Sequence, residues 1–365
     1  MLWVLLAILF VVPLVLFYLL AIRSVDRFAP APWWLLFLCL MWGAVGAVVP
    51  SVAAGMFGQE ALDRAFDADL SERGAELSES GAELSENIGA TFMAPLVEEP
   101  AKALGLLVIY AFARRRVHET HGALSGVVLG GTIGLGFTLT EDILYIVGAA
   151  EEAGGAGFIG VFFIRTIMLG MGHATFTAFT GLGFGLFATM TSGWRWVMPW
   201  LGLGAAMIAH AGRNLFSSFL TLDGFGVVMV LLLHALVMLM FFGLLIGMAY
   251  RDRKRVQTGL GGVVGVLITK AEYEFIISPW MLVPGWNFIQ LMGLPGSYQE
   301  AREKQLHCFQ LAFIRNRARN EFANDDAPPV LDPVETEAIA AIQAANARGV
   351  LLARPAITAD PVVMG

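Results

Sequence analysis

Residues 89–113 read Gly89-Ala90-Thr91-Phe92-Met93-Ala94-Pro95-Leu96-Val97-Glu98-Glu99-Pro100-Ala101-Lys102-Ala103-Leu104-Gly105-Leu106-Leu107-Val108-Ile109-Tyr110-Ala111-Phe112-Ala113. This run is long and apolar enough for a membrane span, which needs about 20 mostly apolar residues. Yet it carries two carboxylates and an ammonium. Six further stretches share its length and apolar character: 1–22, 33–57, 122–148, 158–190, 196–220 and 225–250. The pattern predicts an all-α polytopic membrane protein of about seven transmembrane helices. Composition agrees: 57% of the 365 residues are hydrophobic, and 15% are charged against about 25% in soluble chains. A water-soluble globule is excluded. The net charge of −7, with no concentrated basic face, argues against nucleic acid as a partner.

Lys and Arg in short loops set orientation. Arg23 and Arg27, then Arg114, Arg115 and Arg116, then Arg195, then Arg251, Arg253, Lys254 and Arg255 follow spans one, three, five and seven. Those loops are expected in the cytoplasm, which places the N-terminus outside. The first run has no basic residue ahead of it and is too long for a signal-peptide core, so it is expected to be a retained helix. The acidic 58–88 segment, with near-repeats at 74–80 and 81–87, reads as a solvated outer loop. Residues 1–255 form the expected transmembrane domain, and 256–365 a small, mostly helical cytoplasmic tail. In that tail, helices are expected from Glu300 to Phe322 and from Asp332-Pro333-Val334-Glu335 to Gly349. The apolar run 275–294, broken by Pro279 and Pro284, suits interfacial packing better than an eighth span. Cys39 lies in an apolar run and Cys308 in the tail, which offers neither a disulfide nor a cysteine metal site.

Ionisable residues inside spans are costly and point to function. Span three has Glu98, Glu99 and Lys102; span four Glu141 and Asp142; span five Arg165 and His173; span six His210 and Arg213, with Asn214 beside them; span seven His234. Glu98 with Lys102, Phe137 with Glu141, His173 with Thr177 and His210 with Asn214 are i,i+4 pairs on one helical face. At about 1.5 Å per residue, Glu141 lies roughly 10 Å, Glu98 13 Å, His210 15 Å and His173 22 Å from the outer end of its span. Pro100 cannot donate to the Leu96 carbonyl, so a kink is expected beside the two glutamates. Gly126, Gly130 and Gly134, and Gly181 and Gly185, recur every four residues and suit close helix packing. Arg165, near an outer end, reads as snorkelling or structural, and His234, without a polar i±4 partner, as core packing.

Known intramembrane peptidase chemistries can be tested by residue. No His-Glu-x-x-His occurs; His118-Glu119-Thr120-His121 is too short. The Ala123-Leu124-Ser125-Gly126 run lacks the first glycine of a serine nucleophile motif, and Asp142 is the sole aspartate in a span. A glutamate-and-histidine site remains. A structural Glu–Lys pair with hydrogen-bonding histidines, a proton-coupled transporter and an inactive membrane scaffold are the competing explanations. Against the transporter, no later span echoes Glu-Glu-x-x-Lys.

Glu98-Glu99-Pro100-Ala101-Lys102 matches Glu-Glu-x-x-Lys. Phe137 to Tyr145 matches Phe-x-x-x-Glu-Asn-x-x-Tyr except at Asp142. His173-Ala174-Thr175-Phe176-Thr177 with Gly181 matches His-x-x-Phe-Thr-x-x-x-Gly, and His210 to Asn214 matches His-x-x-x-Asn. In this order the four resemble the PrsW family of intramembrane proteases, distantly similar to CAAX prenyl proteases and bacteriocin-processing enzymes. The resemblance covers about residues 89–215. It implies a peptidase of a prokaryotic plasma membrane that cleaves single-span membrane proteins such as an anti-sigma factor. Carried over, Glu98, Glu99, Lys102, Glu141, His173, His210 and Asn214 would be the catalytic set. Two mechanisms stay open: a carboxylate that activates water alone, or a zinc held by His173, His210 and Glu141 with a glutamate as base.

Overall fold

The computed structural model describes residues 1–57, 60, 64, 88–112, 122–220, 224–283, 285–321 and 333–353. Among these, the regular elements are helical, with an isolated bridge between Val264 and Ile268. Four helical stretches are long and apolar enough to cross a membrane: Leu2–Arg23, Trp33–Phe57, Ala123–Thr189 and Val228–Val263. The protein is an all-α membrane protein. By contact density the chain divides into two compact units, one of Met1–Arg23, Pro30–Arg114 and His121–Leu245, the other of Ser24–Ala29, Arg115–Thr120 and Ile246–Gly365.

In the first unit, α1 is Leu2–Arg23. Helix α2, Trp33–Met41, continues through a wider π-helical turn, Trp42–Ala47. A similar turn, Gly89–Met93, leads into α3, Ala94–Phe112, which runs through Pro100 without interruption. Then come α4, Ala123–Val161; α5, Gly172–Thr189; α6, Met198–Leu220; and α7, Gly224–Leu260, whose last part belongs to the second unit.

Two features depart from the sequence expectation. The 149–157 segment, expected as a loop, is helical apart from Gly154, whose φ of 64° and ψ of −142° kink the chain in a conformation that costs glycine little. The span expected as continuous over 158–190 is instead broken. A π-helical turn, Phe162–Met168, ends at Leu169, and α5 starts afresh at Gly172. The break leaves carbonyls to satisfy, and the Tyr18 hydroxyl donates to those of Thr166 (2.9 Å) and Ile167 (3.1 Å) from α1.

Glycine sets how closely these helices approach. On α4, Gly126, Gly130 and Gly134 face α5, where a Cβ would run into the backbone of Gly181, Thr177 and His173 respectively. The expected four-residue stripe is therefore a packing seam. Between α2 and α4 the Thr140 hydroxyl donates to the Ala44 carbonyl (2.7 Å), and the Trp42 indole donates to the Ala101 carbonyl of α3 (3.1 Å). These contacts hold α3, α4 and α5 in the register the site needs.

The second unit has its own core, built on Phe28, Val256, Leu260, Phe309, Leu311, Ile342 and Leu352, with Phe28 and Phe309 edge to face at 5.2 Å. Its helices are α8, Lys270–Ile276; α9, Trp286–Met292; α10, Tyr298–Glu321; and α11, Pro333–Ala347. The last two match the expected tail helices, although Asp332, the expected cap, lies outside the described residues. The run 275–294 supplies short helices to this core. Thr269 caps α8 through a reciprocal bond with Glu272, and Glu272 also holds the buried Lys304 ammonium at 2.6 Å. Cys39 and Cys308 are free and buried in different units. The acidic repeats and the His118–His121 run lie outside the described residues.

Candidate active site

Four helices of the first unit, α3 to α6, deliver the ionisable residues to one buried locus. On α3, the i,i+3 and i,i+4 spacing turns Glu98, Glu99 and Lys102 to one side, and the Lys102 ammonium bonds Glu99 Oε1 at 2.8 Å and Glu98 Oε2 at 3.1 Å. The same ammonium reaches His173 Nδ1 at 3.0 Å and stands 3.8 Å from the centre of the Phe137 ring. His173 is the second residue of α5, placed there by the break before Gly172. Its Nε2 meets Glu141 Oε2 of α4 at 2.7 Å. From α6, His210 Nδ1 meets Glu99 Oε1 at 3.0 Å, while the Thr177 hydroxyl donates to Glu99 Oε2 at 3.2 Å. The two imidazole rings lie edge to face at 4.9 Å, with the Phe176 ring stacked on His210.

Glu98, Glu99, His173 and His210 each offer a ligand atom, and these atoms all lie within 4.8 Å of one another. The two glutamates differ in access. Glu99 is fully buried, with both oxygens bonded, whereas the Glu98 side chain keeps 13% of its surface exposed and lines a cavity of about 380 Å³. Glu141, His210, Arg213 and Asn214 line that cavity as well.

Every site residue expected from the sequence thus falls in or beside one locus. Glu141, expected among the metal donors, lies outside the four-residue cluster and is shared between His173 and Arg165, whose Nη2 is 2.8 Å away. Of the two roles expected for Arg165, the contacts fit the structural one. It pairs with Glu141 and with Asp142 (3.3 Å) and stacks at 3.8 Å over Tyr145. The available signal was that a guanidinium inside a span requires an anionic partner, and span four held two carboxylates. His234 is buried with its Nε2 lacking a hydrogen-bond partner.

Two imidazoles and two carboxylates are donor types that zinc takes. The locus already accommodates a cation, since the Lys102 ammonium sits against three of the four groups. The donor set therefore fits a metal ion. A buried carboxylate–imidazole cluster reached from a cavity, within apolar helices, defines the class as a membrane-embedded protein with a candidate metal or acid–base site. The profile of the PrsW family intramembrane metalloproteases matches residues 31–245, more than half of the chain, and the chain belongs to that family. Comparison with curated proteins returned no match, and neither did comparison with solved structures.

Proposed function

We propose that the protein is an endopeptidase of a prokaryotic plasma membrane that cleaves single-span membrane proteins, with Glu98 as the base that activates water. The observation that carries this is the asymmetry of the two glutamates: Glu99 is sealed among Lys102, His210 and Thr177, while Glu98 opens on the cavity. A base must touch water and substrate; a metal ligand must be held still.

In this proposal His173, His210 and Glu99 would hold a zinc ion, which when bound would polarise the substrate carbonyl and acidify water. Glu141 orients His173 through Nε2, with Arg165 fixing Glu141 in turn. Lys102 balances the two glutamates, and Asn214 faces the cavity to position the peptide. Glu98 takes a proton from water and returns it to the departing amine. Seven spans, with the N-terminus outside and the 256–365 tail in the cytoplasm, complete the proposed arrangement.

The test is purified protein reconstituted with single-span substrates, with and without chelator. The expected result is cleavage with about one zinc per chain; chelator removes the activity, zinc restores it, and His173→Ala and His210→Ala lose the metal. Full activity of the Glu98→Gln/Glu99→Gln double variant would overturn the peptidase proposal, and full activity of metal-free protein would overturn its zinc.

A further inference from the structure

Arg213 has no part in the chemistry so far. It lies on α6 one turn beyond His210, and its guanidinium borders the same cavity as Glu98. Its Nε is buried without a hydrogen-bond partner. Among the described residues no carboxylate lies within ion-pair distance of it, since Glu141 and Asp142 are engaged by Arg165. The Arg213 guanidinium packs against the N-terminal end of α5, an 18-residue helix. A Cβ placed on Gly172 would lie 3.6 Å from Arg213 Nη1 and 3.8 Å from the ring of His234. That His234, more than nine-tenths buried, also has an unpartnered nitrogen, Nε2. Leaving a buried N–H donor such as the Arg213 Nε unmade is costly. The positive end of a helix beside it favours negative charge.

We propose that Arg213 is a catalytic residue that donates to the oxyanion of the substrate's scissile carbonyl, in a subsite it forms with the N-terminal end of α5 and His234. The inference rests on the peptidase reading above. As the water oxygen bonds to the carbonyl carbon, Glu98 takes the water's proton and the C=O π pair moves onto oxygen. Arg213 donates to that oxygen. When the pair returns, the C–N bond breaks, its electrons leave with nitrogen, and Glu98 gives nitrogen the proton. Water and peptide thus yield an acid and an amine. The donor matters most where charge develops, so its loss should fall on turnover and much less on substrate affinity.

The experiment uses the full-length protein in lipid. Removing one oxyanion donor costs about 10²–10³-fold in turnover, so Arg213→Gln should lower kcat by that factor with KM little changed, and Arg213→Lys should recover part of it. A capped phosphinic dipeptide, whose anionic oxygens imitate the tetrahedral intermediate, should bind the native protein well above its neutral ketone analogue. Arg213→Gln should erase that preference, and free guanidinium should restore turnover to Arg213→Ala. Unchanged kcat and unchanged phosphinate preference in Arg213→Gln would overturn the assignment. If Arg213→Gln does not fold, Arg213→Lys decides by the same two readouts. A native protein that cleaves no substrate yet prefers the phosphinate through Arg213 would sink the peptidase reading and leave the anion site standing.

Discussion

Glu98 and Glu99 are neighbours in sequence with different surroundings, and their amide variants should separate the two roles. Glu98→Gln should lower turnover by about 10²–10⁴-fold, the usual loss for a general base. Its thermal unfolding midpoint in detergent should fall less than that of Glu99→Gln, because the Glu98 pair with Lys102 is longer and partly exposed. Glu99→Gln should lose activity and also stability. It leaves the buried Lys102 with one less partner, and breaking a buried pair from one side costs about 3–5 kcal/mol. Equal midpoints for the two variants would contradict the division of roles. Lys102→Met tests the same balance from the other side: the metal-free protein should be destabilised, and zinc should restore its midpoint by supplying positive charge to the same donors.

At the scale of elements, the seam between α4 and α5 sets where His173 stands. A Cβ on Gly134 would meet the His173 carbonyl, so Gly134→Ala must push the start of α5 away. Misplacing a reacting group by about 1 Å can cost about 10²-fold. Gly134→Ala should therefore depress kcat by that order, whereas Gly148→Ala, on the same helix with nothing within 4 Å of the added carbon, should leave kcat unchanged. Equal effects from both would show that helix propensity and not the seam is being read. In the second unit, Lys304 and the backbone amides of Thr269 and Leu352 hold the Glu272 carboxyl below the ordinary glutamate range. Its stabilisation is present above about pH 4.3 and is lost as pH falls through the depressed value. Melting curves of the full chain should show Glu272→Gln flattening that acid limb.

At the scale of the whole molecule, the orientation is testable by thiol labelling. A cysteine at Ser80 should react with an impermeant reagent in intact cells. Cys308 cannot report on the inner side, because it is fully buried and burial pushes its thiol up to about 12. Val266, 82% exposed, is the better position. Val266→Cys should label only after the cells are opened, and the reverse pattern would discard the proposed topology.

Local information sufficed for much of this molecule. Apolar length specified the helical class, the i,i+4 pairs placed each polar pair on one face, and the glycine stripe foretold a helix seam, because all three depend on neighbours within a few turns. The depth of the site was not legible. Counting along unbroken helices spread its residues over roughly 10–22 Å, yet four of them bring ligand atoms within 4.8 Å of one another. The break before Gly172, braced from α1 by Tyr18, sets where the helix carrying His173 begins. The engagement of Glu141 by Arg165 and the exposure of Glu98 against the burial of Glu99 are likewise tertiary. Each depends on side chains from separate helices meeting, and no spacing within one helix encodes such a meeting.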